Sequence, residues 1–177
     1  MRKSLVGVVV LLVVAALTAC SPSSVTPTFT DGYIKAVPDL AAGNATGVFG
    51  VITNPGSSDV QLIGAKNTTA GLTDAPLEIH EVVMKDGAMV MQEVNGGINI
   101  PAKGGSVTMK PGGYHVMYWN LKQPIAVGST VTLTLEFSNG TKVPVSVVAR
   151  DLANAQEKYN PGAEASHSPM PSMSMKH

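Results

Sequence analysis

Between His80 and Met117 the chain carries two histidines and five methionines, and four of these form two matched pairs: His80 with Met91, and His115 with Met117. Each pair offers one imidazole nitrogen and one thioether sulfur. Thioether sulfur is soft and uncharged, so it favours Cu(I) and is a poor ligand for Zn(II) or Mg(II). Two imidazoles with two thioethers therefore suit a soft monovalent cation, Cu(I). The only cysteine is Cys20, which excludes an internal disulfide, a CxxC redox pair and a thiolate-rich metal site. A donor set without thiolate also survives an oxidising compartment, where thiols are lost to disulfides. The competing reading is packing. Methionine in a strand is a core filler, and a lone histidine on an apolar strand is commonly structural. For Met84, Met89 and Met109 packing is at least as good a reading as ligation.

The elements that must position these residues are strands. From Asp31 to about Asp151 short runs of Val, Ile, Thr and Leu alternate with Gly, Pro, Asn and Asp. The pattern predicts strands over Gly32–Val37, Gly47–Asn54, Val60–Lys66, Leu77–Met84, Met89–Val94, Ser106–Met109, His115–Trp119, Thr130–Phe137 and Lys142–Ala149. Asn139-Gly140 between two alternating runs signals a hairpin. About nine strands and no helical stripe predict an all-β Greek-key sandwich or barrel. If Asp86-Gly87 is a two-residue turn, Met84 pairs with Met89 and Val82 with Met91, and His80 lies diagonal to Met91 on the same face. His115 and Met117, two apart on one strand, also share a face. Folding would have to bring the two platforms together.

The ends of the 177-residue chain read differently. Arg2 and Lys3 precede an apolar stretch from Leu5 to Leu17, too short for a comfortable span of ~20 residues. Leu17-Thr18-Ala19-Cys20 resembles a lipobox, so residues 1–19 are expected to be a lipoprotein signal peptide, with Cys20 lipidated and holding the protein on the outer face of the cell membrane. An ordinary secretory signal with an incidental Cys20 is the alternative. Residues 20–30, rich in Pro and Ser and without charge before Thr30, are expected to be a flexible tether. The folded domain is then 31–151. A helical turn or two is expected over Leu152–Tyr159. In the tail, 152–177, His167, Met170, Met173, Met175 and His177 make a candidate second copper site, for Cu(II) through imidazole or Cu(I) through thioether, on a segment expected to be disordered without ligand. The alternative is a plain low-complexity tail. Net charge is zero, and loss of Arg2 and Lys3 leaves about two more acidic than basic residues. With no basic stripe, nucleic acid is excluded as a partner.

The run His80-x10-Met91-x23-His115-x-Met117 resembles the periplasmic copper chaperones called PCuAC, whose motif is His, ten residues, Met, about twenty-one residues and His-x-Met. Glu78-Ile79-His80, Asp86-Gly87-Ala88-Met89-Val90-Met91, Ile100-Pro101-Ala102, Lys110-Pro111-Gly112-Gly113-Tyr114-His115-Val116-Met117 and Leu121-Lys122-Gln123-Pro124 also fit, and the resemblance covers about Asp31 to Ala149. The middle spacing is two residues longer, an extension assigned to the Asn95–Gly105 loop. Val82 stands where the family often has a second Met. The resemblance implies a cupredoxin-like β-sandwich, an exposed Cu(I) site, and delivery of copper to cytochrome c oxidase, usually alongside a Sco-type thiol protein.

No nucleophile–base pair with a motif behind it is present, so an enzyme is not expected. A blue-copper electron carrier needs a Cys thiolate that the mature domain lacks. A histidine-brace oxygenase needs an N-terminal His, and cleavage would leave Cys20 there. The remaining rival is an Ig-like adhesion or scaffold lipoprotein with a Met-rich core.

Overall fold

The computed structural model describes residues 25–152. The expected signal, Cys20, the candidate tail donors from His167 to His177 and nearly all of the helical turn expected over Leu152–Tyr159 lie outside the described residues. Ten strands follow in order: β1 (Thr28–Lys35), β2 (Thr46–Asn54), β3 (Val60–Asn67), β4 (Glu78–Lys85), β5 (Ala88–Glu93), β6 (Ile98–Ile100), β7 (Gly105–Met109), β8 (His115–Tyr118), β9 (Thr130–Phe137) and β10 (Lys142–Arg150). A single 3-10 turn, Leu40–Ala42, is capped by Asp39, whose side chain accepts from the Ala41 amide at 2.9 Å. Among the described residues no helix is long and apolar enough to cross a membrane.

The strands form one hydrogen-bonded path, β5-β4-β8-β2-β1-β10-β9-β3-β6, with β7 added to β2. Only β1 with β10 is parallel among the pairings of the described residues. β2 serves two neighbours on one edge: β8 along Thr46–Val48 and β7 along Gly50–Asn54. Opposite that junction β1 is bulged between Thr30 and Tyr33, with Asp31 at φ 54°, and a bulge bends and twists its strand. The sheet consequently folds over on itself. β3 meets β4, and β6 meets β2 and β7, although they are far apart along the path. The all-β sandwich is therefore an open, folded sheet.

The alternation read in β9 is the reason that it lies here. Val131, Leu133, Leu135 and Phe137 all face inward, onto Ile34, Ile52, Leu62, Ile100 and Val147. Tyr118 is also fully buried, and burial raises its phenol well above the ordinary range.

Apart from one-residue shifts at other strand ends, three features differ from expectation. There are ten strands, because Ile98-Asn99-Ile100, assigned to a loop, pairs with β3 as β6. β1 begins at Thr28, so Thr28–Thr30 belong to the sheet and not to the tether. Val37 lies past β1, in an isolated bridge to Ile125.

Candidate metal centre

The Asp86-Gly87 turn has φ of 51° and 79°, positive at both central positions as the tight hairpin turn requires. It fixes the register Met84↔Met89, Val82↔Met91 and His80↔Glu93. Met91 is therefore diagonal to His80 on one face. The step that sequence alone does not supply is the pairing of β4 with β8, which sets His80 directly opposite His115 and Glu78 opposite Met117. The two platforms meet there.

His80 and His115 have ring centroids 5.8 Å apart, and His115 Nε2 lies 2.9 Å from Met91 Sδ. Met117 shares their face by parity, next to Gly47 of β2. This is the face opposite the main core: the intervening Ile79, Val116 and Val48 point into the core, while the site residues point away from it. Yet His80, His115 and Met117 keep only 7%, 6% and 4% of their surface exposed. Phe49, 5.9 Å from the His115 ring, and Trp119, 5.8 Å from the His80 ring, wall them in. The open site implied by the resemblance is thus corrected to a largely covered one, in which Met91 alone is half-buried.

The hydrogen bonds assign a tautomer to each ring. Gly113 O can only accept, so His115 Nδ1 donates to it, at 3.1 Å. Burial, more than any other influence, lowers the His115 pKa and favours the neutral ring. The lone pair is then on Nε2, facing the lone pairs of Met91 sulfur. Two electron-pair donors turned on each other are an arrangement that a soft cation would relieve. Glu78 Oε2 accepts from Trp119 Nε1, which can only donate, and from His80 Nε2, both at 2.8 Å. That leaves the lone pair of His80 on Nδ1, which is buried and has no hydrogen-bond partner. A buried nitrogen without a partner is costly, and a metal would satisfy it. A ligating histidine typically donates its other N–H to a carboxylate or backbone carbonyl, as both rings do here. An imidazole nitrogen holds a metal at roughly 2.0–2.1 Å, which two rings at this separation can share.

Two supporting residues escaped the sequence reading. Glu78 had a signal, since it is two residues before His80 and so on the same face. Trp119, the single tryptophan, stands in the same relation to Met117, and its carbonyl is held by Thr73 Oγ1 at 2.6 Å. Met109 is buried, as packing predicts, but Met84 and Met89 are exposed and do no packing of that kind. Among the described residues no three His, Cys, Asp or Glu side chains gather into a metal-holding group, so the convergent donors depend on sulfur.

The family model for LpqE-like lipoproteins matches residues 28–149, the sheet and the site together. The chain belongs to the LpqE-like lipoprotein family. A relative from Leifsonia xyli subsp. xyli (strain CTCB07) named as a lipoprotein, Lxx21020, is 38% identical over 125 residues, covering 71% of this chain and 72% of its own. Among solved structures, the copper-bound PCuAC domain from PmoF2 superposes with a TM-score of 0.56 at 19% identity, over 73% of this chain and 96% of that one. Apo-DR1885 from Deinococcus radiodurans gives a TM-score of 0.52 at 23% identity, over 85% and 95%. The LpqE-like chain thus has the cupredoxin-like fold of PCuAC domains.

Proposed function

We propose that this LpqE-like protein is an extracytoplasmic copper chaperone, not an enzyme, which carries one Cu(I) on His80, Met91, His115 and Met117. The observation that carries this reading is the gathering of His80, His115 and Met91: the two ring centroids lie 5.8 Å apart, His115 Nε2 is 2.9 Å from Met91 Sδ, and the buried Nδ1 of His80 has no hydrogen-bond partner. The shared fold with a copper-bound PCuAC domain supports it. In the rival reading, an Ig-like adhesion lipoprotein, the methionines would be core and the histidines would have no reason to face one another. Release is by ligand exchange. Met91 is on β5, the terminal strand of the sheet, and a thioether is the weaker donor. An incoming thiolate or imidazole displaces it first and then takes the ion from the histidines. Cytochrome c oxidase, at its CuA site, is the recipient proposed, with a Sco-type thiol protein alongside. Lipidation of Cys20 would hold the carrier at the outer face of the membrane. X-ray absorption of the Cu(I)-loaded protein tests the site: mixed nitrogen and sulfur ligation is expected, and a shell of nitrogen and oxygen alone would contradict it.

A further inference from the structure

The described methionines form a gradient of burial. Met109 and Met117 are buried, Met91 is half-buried, and Met89 and Met84 are 60% and 70% exposed. Large apolar side chains left in water contribute nothing to the core, so packing gives no reason for these last two. Their register is informative. Lys85 and Ala88 close the two-residue turn, and in such a hairpin that pair exchanges both backbone hydrogen bonds. Met84↔Met89, the next pair, is then of the closely spaced kind, with Cβ atoms about 4.5–5.5 Å apart. Two flexible thioethers at that separation can close on one ion. They also share a face with Met91, since residues two apart on a strand point the same way. The Met89 side chain leans inward: its Cε methyl lies 3.7 Å from where a Cβ on Gly112 would be. Gly112 is next to Gly113, whose carbonyl orients His115.

We propose that Met84 and Met89 form a second, shallow Cu(I) site at the tip of the β4–β5 hairpin, which takes the ion from solution or from a donor and passes it along Met91 to the covered histidines. This rests on the chaperone reading of the inner site. The transfer is a ligand exchange: Cu(I)–thioether bonds at the tip are replaced by bonds to Met91 and then to imidazole, with no change of oxidation state. Two neutral thioethers with no imidazole make a weak site, suited to a waypoint.

The full protein labelled with 13C in its methionine methyls, each assigned by single substitution, is titrated with Ag(I), a redox-inert soft monovalent ion. The first equivalent is expected to move the Met91 and Met117 methyls, and a weaker second event to move Met84 and Met89 together. In parallel, the double variant M84L/M89L keeps apolar bulk without sulfur. It is expected to load the inner site from a Cu(I)–chelator complex several-fold more slowly, at unchanged equilibrium affinity, as followed by Trp119 fluorescence. Unmoved Met84 and Met89 methyls, or wild-type loading by the double variant, would overturn the tip site while leaving the inner site standing. If no methyl in the domain moves, the chaperone reading falls with it.

Discussion

Glu78 decides which nitrogen of His80 is free. Its Oε2 accepts from Nε2 of His80 and from the indole N–H of Trp119, which leaves the lone pair of His80 on the buried, unpartnered Nδ1. Loss of such a partner characteristically lowers metal affinity roughly 10–100-fold. Glu78→Ala is expected to show a loss of that order in a chelator-competition assay, and Glu78→Gln, which keeps an acceptor oxygen, a smaller one. His115 gives a pH dependence with a definite sign. Its pKa is lowered from 6.5 chiefly by burial, so below that value the unfolded chain takes up the proton more readily than the folded one. The stability that the neutral ring contributes is complete above about pH 6.5 and is lost as pH falls through the lower folded value. Urea unfolding of the apo protein across that range is expected to show declining stability, less steep in His115→Phe.

At the level of the strands, the site depends on one small residue. A Cβ on Gly47 would stand 2.8 Å from Phe49 Cζ and 3.5 Å from His115 Cδ2. Overfilling of packed positions typically costs about 1–3 kcal/mol. Gly47→Ala is expected to lose stability in that range and, by displacing the Phe49 ring against His115, to weaken copper binding as well. Wild-type affinity with wild-type stability would show that the face is looser than drawn. How far the sequence reveals this level follows from what is local. The β4–β5 hairpin was legible because Asp86-Gly87 dictates both turn and register. β9 was legible because Val131 to Phe137 alternate without interruption. The adjacency of β4 and β8 was not legible from the residues. Its 35-residue separation in pairing, His80 to His115, is long-range, and no local signal encodes which strands become neighbours. β6 was hidden because three residues between Gly97 and Pro101 are too few to show a period. The bulge at Asp31 concealed the first residues of β1 in the same way, by breaking their alternation.

For the whole molecule, composition set the chemistry and the fold set access. Methionine is plentiful, cysteine is single, and charge is sparse, which together favour soft neutral ligation. The burial of His80, His115 and Met117 could not be read from a motif, because it depends on how the outer face of the sheet is covered, with Phe49 beside His115 and Trp119 beside His80. At this scale we also propose the tail residues His167, Met170, Met173, Met175 and His177 as a second set of copper donors. Copper titration of the full chain against a version ending at Gly162 is expected to give a lower stoichiometry for the shorter chain; equal stoichiometry would remove the tail from the scheme.

The most direct measurement is Cu(I) affinity by chelator competition for wild type, His115→Ala, Met117→Ala and Met109→Ala. Met109 is a buried methionine of the core cluster, so its loss lowers stability without removing a ligand. His115→Ala and Met117→Ala are expected to lose affinity while Met109→Ala, still folded, keeps it. Unchanged affinity in both of the first two variants would contradict the site.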